Sequence, residues 1–85
     1  MEEQKIGVVT HYYNHLGVGI IKIESIGLKV GDKVRIKGHT TDLEQTIGSM
    51  QIEHKDVPEA KAGDAVGVKF DEHVREHDEV FKVIE

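Results

Sequence analysis

Lys29–Lys37 reads K-V-G-D-K-V-R-I-K, and Lys61–Lys69 reads K-A-G-D-A-V-G-V-K in the same frame. A third, degraded copy follows at His77–Lys82, H-D-E-V-F-K, with histidine where the other two have glycine. Each copy specifies a tight turn and then a short strand. Glycine reaches positive φ without steric cost, and an Asp carboxylate can bond the backbone two residues on. After the turn, Val34 and Ile36 alternate with Lys33, Arg35 and Lys37, and Val66, Val68 and Phe70 alternate with Ala65, Gly67 and Lys69. Strict alternation is the mark of a half-buried strand with one wet face.

Working outward, Ile6–Tyr13 is rich in β-branched and aromatic residues and reads as a strand. A turn follows at Asn14–Gly17, and Val18–Ile23 returns as the second arm of a hairpin. Val18, Ile20, Ile21 and Ile23 are too densely apolar for period alone to assign an inward face. Leu43, Gln45 and Ile47 share one phase, whereas Met50 and Ile52 take the other, so the alternation slips at Gly48-Ser49. A slip of this kind predicts a bulge or a corner. Asp56–Ala60 carries the only proline and reads as a loop or a single helical turn. Asp71–Asp78 reads as irregular, and Val80–Ile84 as a closing strand. No segment shows helical periodicity. The expectation is an all-β chain of about six strands in one domain, residues 1–85 with a core over about 6–84. A closed antiparallel Greek-key barrel is the economical way to remove its edges.

Bulk properties bound the function. A chain of 85 residues buries roughly 60–65% of its unfolded surface, too little for a core plus a deep cleft. There is no cysteine, hence no thiolate nucleophile or thiolate metal site. The start M-E-E-Q-K is acidic and lacks an apolar stretch, so no signal peptide is expected, and no apolar run approaches the length of a membrane span. A cytoplasmic protein with no membrane contact is expected. Ser25 and Ser49 lie in no G-x-S-x-G motif, so no catalytic set is expected.

The formal net charge of −5 is unevenly spread. From Lys22 to Lys37 five bases stand against two acids, and from Asp71 onward six acids stand against two bases. Lys33, Arg35 and Lys37 on one strand face, followed by His39, Thr40 and Thr41, form the candidate polyanion site, a stripe for phosphate contacts with a polar loop beside it. The acidic C-terminal edge suits a basic protein partner. His73 and His77, four apart with Asp71, Glu72 and Glu76 nearby, would share a face if helical. A solvated connection is the plainer reading, and no metal or cofactor is expected.

The runs G-V-G-I-I-K-I (Gly17–Ile23), L-K-V-G-D-K-V-R-I-K-G (Leu28–Gly38), T-I-G-S-M (Thr46–Met50) and A-K-A-G-D-A-V-G-V-K (Ala60–Lys69) together resemble domain 2 of the translational GTPases, the β-barrel domain of elongation factor Tu and its kin. The stretch Lys37–His54 is similar also to small stand-alone translation-factor-like proteins and to the barrel appended to some collagenase-like peptidase relatives. This resemblance implies a closed six-stranded antiparallel Greek-key barrel acting as a non-catalytic, RNA-binding module with RNA or the ribosome as partner. The alternative is a protein-docking module for a peptidase-like or RNA-modifying enzyme. No G-x-x-x-x-G-K-[ST] is present, so the resemblance does not extend to nucleotide hydrolysis. It fits worst at His77, where the family has glycine.

Overall fold

The computed structural model describes residues 2–84 and is all-β over them. The strands are β1 (Glu2–Tyr13), β2 (Val18–Ile23), β3 (Leu28–Lys29), β4 (Lys33–Lys37), β5 (Asp42–Thr46), β6 (Met50–Ile52), β7 (Lys55–Asp56), β8 (Glu59–Ala60), β9 (Ala65–Lys69) and β10 (Glu79–Ile84). Eight of them form one antiparallel sheet in the order β5-β4-β10-β1-β2-β9-β6-β7, and β3 pairs with β8 in a small ribbon. The Asp56–Ala60 stretch is therefore not a helical turn. Its end supplies a strand that pairs Leu28 with Ala60.

The closed six-stranded barrel is corrected by this order. β5 and β7 end the ladder and do not pair with each other. Yet β5 and β6 lie at opposite ends of the sheet and are joined by only residues 47–49, so the sheet must curl until its ends meet. A side chain spans the seam. Gln45 Nε2 donates to the Lys69 carbonyl at 3.0 Å, and Gln45 Oε1 accepts from the Asp71 N–H at 2.9 Å. A short strand with an amide side chain at the seam thus takes the place of a continuous backbone ladder.

The repeat that opens the sequence recurs three times in space. Gly31, Gly63 and His77 all have positive φ, at 97°, 96° and 73°. In each turn the next residue is Asp, and its carboxylate accepts an N–H from three residues back: Lys29 to Asp32 at 2.8 Å, Lys61 to Asp64 at 2.9 Å, Arg75 to Asp78 at 2.9 Å. The carboxylate therefore reaches backward and not two residues forward. Each turn also exchanges a pair of backbone bonds with a buried residue of a distant element. The N–H groups of Gly31, Gly63 and His77 donate to the carbonyls of Ile47, Ile23 and Val9, whose own N–H groups donate to the carbonyls of Asp32, Asp64 and Asp78. The third copy keeps the whole arrangement, and the expected misfit at His77 does not occur. Histidine is among the non-glycine residues enriched at positive φ.

One apolar core fills the curl. Ile6, Ile21, Ile23, Leu28, Val34 and Ile36 are fully buried, as are Val66, Val68 and Val80 from the later strands. The alternations within both repeats hold: Val34 and Ile36 face inward from β4, and Val66 and Val68 from β9. The slip at Gly48-Ser49 is a corner at which the chain leaves the sheet. The actual bulges lie in β1, where pairing with β10 shifts between Lys5 and Gly7 and pairing with β2 shifts between Val9 and His11. Gly7 stands at the first shift, a strand glycine of the kind that often marks a bulge, whereas the run Val9–His11 gives no sign of the second.

Candidate functional site

The outer face of β4 carries the expected basic stripe, and its neighbours supply the matching acids. Register places Glu44 opposite Arg35 and Asp42 opposite Lys37. Lys33 meets Glu44 at 2.9 Å. Arg35 grips the Asp42 carboxylate through Nε at 3.0 Å and Nη2 at 3.2 Å, and reaches Glu3 at 3.2 Å. Lys37 meets the other oxygen of Glu3 at 2.7 Å and lies over the Phe81 ring. The Lys37 and Arg35 contacts hold the Glu3 carboxyl below the usual carboxylate range. Asp42 is likewise lowered by its bonds to Arg35, and the Arg35 guanidinium is raised by them. A charge already matched across strands offers little to an incoming phosphate.

The adjoining loop is similarly committed. His39 and Thr40 are exposed, but Thr41 is buried, and its carbonyl accepts the Gly38 N–H at 2.8 Å. Lys37, Gly38 and His39 share a hollow of about 380 Å³ with Glu76, His77, Asp78 and Glu79, a wall richer in acid than in base. The structure thus brings Lys33, Arg35, Lys37, His39, Thr40 and Thr41 to one side of the molecule, but does not leave them as an open cationic surface.

The histidines separate. His73 and His77 lie on a non-helical connection, so the spacing of four does not put them on one helical face. The His73 ring sits 4.5 Å from that of Tyr12, and His77 occupies the third turn. Among the described residues no group of three His, Asp or Glu side chains could hold a metal ion. The acidic C-terminal segment is not a sheet edge either: β10 lies between β4 and β1. Asp78 is buried in its turn, and Glu79 pairs with Lys5 at 3.3 Å.

The surface that sequence reasoning passed over is on the far side of the sheet, at β2 and β9. Ile21 and Ile23 of β2 point inward, so Val18 and Ile20 point out. Opposite them on β9 stand Lys69 and Gly67. Val18 and Ile20, with Tyr13 and Leu16 from the β1–β2 turn and Gln51, Glu53 and His54 from the β6–β7 hairpin, wall a groove of about 450 Å³ over Ala65 and Gly67. Leu16 is 66% exposed and Tyr13 46%. Gly67 has no positive φ, and a Cβ there would meet Val18, Ile20 and the Gln51 carbonyl only at 3.5–3.7 Å, ordinary contact. Nothing inside the chain requires glycine at this point, although glycine within a strand costs about 0.5–1 kcal/mol relative to alanine. Close approach of a ligand or another backbone is one of the causes that place glycine within a strand. The signal was present in the sequence: a strand apolar on both faces next to a strand whose outer face is Ala, Gly, Lys.

The matches to known proteins agree on one kind of relative. No protein-family model matches the chain. An uncharacterized protease of Methanocaldococcus jannaschii is 45% identical over 78 residues, which are 91% of this chain and 19% of that protein. A collagenase of Porphyromonas gingivalis is 31% identical over 78 residues, 91% of this chain and 22% of its own length. The chain therefore spans about a fifth of the length of these curated relatives. Among solved structures, the C-terminal domain of a Geobacillus thermoleovorans protein assigned to the U32 peptidases superposes with a TM-score of 0.87 at 18% identity, covering 95% of this chain and 93% of that one. The fold is thus that of a domain known from the C-terminal part of a peptidase-type protein. These relatives overturn the description of the chain as a translation-factor-like, RNA-binding protein. Of the three similarities noted in the sequence, the one to peptidase-appended domains is supported, and those to elongation factor Tu and to stand-alone translation-factor-like proteins are not.

Among the described residues no helix is long and apolar enough to cross a membrane.

Proposed function

We propose that this chain is a non-catalytic protein-docking module that works beside a peptidase-like protein. The observation that carries the reading is the asymmetry of coverage: nearly all of this chain matches only about a fifth of a protein named a protease. A segment of that share is an accessory to a larger body. Two further facts support it. The chain has no cysteine, and one of its two serines, Ser25, donates its hydroxyl to the Lys5 carbonyl at 2.9 Å. The basic face is internally neutralised, whereas the apolar groove is left bare, a surface suited to protein and not to polyanion.

The test uses the Methanocaldococcus jannaschii relative with its matching segment deleted, mixed with this chain as a separate protein. Co-elution as a stoichiometric complex is expected, with no hydrolysis of casein or gelatin by this chain alone. Peptide-bond cleavage by the purified chain, or no association at high micromolar concentration, overturns the reading.

A further inference from the structure

We infer that the groove over Gly67 is a homotypic interface, filled by a second copy of this chain. The inference concerns the groove that the peptidase-docking reading also draws on, commits it to a second copy, and rests on the self-complementarity of one patch. A two-fold interface brings the same surface together in reverse, so it needs a projection and a recess on the same face, and opposite charge at the two ends. This face has both. The projection is Leu16, at the tip of the β1–β2 turn and 66% exposed. The recess lies over Gly67 and Ala65, between Ile20 and Gln51.

The ends of the groove differ in charge. Register sets Val18 opposite Lys69 and Lys22 opposite Ala65 along the β2–β9 pair. The Lys69 end is completed by Leu16 and Ser49. The Ala65 end is completed by Glu53 and His54. Lys22, across from Ala65, is turned away to the Gly63 carbonyl at 2.8 Å. A rotation about an axis through Gly67 lays Leu16 of each copy over Ala65 of the other, and sets each Lys69 against the other copy's Glu53. The glycine floor then has a cause: two β9 strands approach across it, and a side chain at that position would hold them apart.

Sedimentation equilibrium of the purified chain, from micromolar to near-millimolar concentration, tests this. A reversible monomer–dimer equilibrium is expected. Leu16→Asp should weaken it roughly 100-fold by placing a charge in the desolvated recess over the other copy's Ala65. Because Leu16 is exposed in the free chain, the variant folds, and circular dichroism checks that it does. Glu53→Lys or Lys69→Glu alone should each weaken association about 3- to 10-fold, and the two together should restore it, since the cross-copy pair is re-formed with its signs exchanged. Additive losses in the double variant, or a dimer unchanged by Leu16→Asp, overturn the geometry. A chain monomeric at all concentrations whose Leu16→Asp variant no longer binds the truncated peptidase-like relative overturns the second copy and gives the groove to that partner.

Discussion

Two strands of this molecule, β4 and β9, begin from the same turn, bury the same alternate positions and differ only in the face they show to solvent. β4 shows Lys33, Arg35 and Lys37, and β9 shows Ala65, Gly67 and Lys69. In isolation the first looks functional and the second blank. In the folded chain the relation is inverted. The three cations of β4 are taken up by Glu44, Asp42 and Glu3, which converge from the neighbouring β5 and, across β10, from β1. The face of β9 has no such cover, and its small side chains leave a recess between the taller ones of β2. Charge on a sheet surface is informative only after its cross-strand neighbours are known. A missing side chain can be the stronger sign of a contact surface.

The comparison can be pressed at four points of decreasing effect. The inward faces of the two repeats are equivalent, so truncating either should be severe. Ile36→Ala removes a fully buried side chain and should cost about 2–5 kcal/mol in urea unfolding, and a loss well below that would mean that β4 is not part of the single core. The seam beside β9 is next. Gln45→Ala leaves the Lys69 carbonyl and Asp71 N–H without their partner and should cost about 1–3 kcal/mol, with faster amide exchange at Asp71; full protection in the variant would show that the curl closes without it. Gly67→Ala tests the claim that the recess is kept for an outside group. The position has ordinary space for a methyl group, so the monomer should be more stable by about 0.4–1 kcal/mol, and a destabilised monomer would show an internal need for glycine.

The smallest effect concerns the paired charges of β4 and appears as a slope. Glu3 and Asp42 have lowered carboxyl pKa values in the folded chain, so the unfolded chain binds protons first as pH falls. Their contribution is complete above the ordinary carboxylate value and is lost as pH drops through the lowered one. Glu3→Gln should therefore lower stability at neutral pH by a small amount and flatten the acid limb by that same amount, so that the two stability–pH curves converge in acid. An acid limb identical to that of the parent chain would remove Glu3 from the account.

The three Gly-Asp-type turns, the β2 and β9 strands and the inward phases of Val34, Ile36, Val66 and Val68 were legible in the sequence because each depends on residues within one turn or one pleat. Even the third turn was marked by its Asp, although His77 hid its geometry. Of the bulges of β1 only the first is marked, by Gly7, since both arise from pairing with two different neighbours in two registers. The groove was half visible, as an ambiguity in β2 that alternation could not resolve.

What the sequence by itself determined is local: turn chemistry at Gly31, Gly63 and Asp78, strand alternation, an all-β chain without helical period. What only the tertiary structure decided is which distant residues meet. Glu3 reaches Arg35 across 32 positions of sequence, and Gln45 reaches Lys69 and Asp71 across 24 and 26. Those meetings turn a basic stripe into a neutral face, an expected closed ladder into a side-chain clasp, and a strand glycine into the floor of an apolar groove. The reason is physical: dihedral preference and burial period act within a few residues, whereas charge neutralisation, closure and surface relief depend on how the sheet curls.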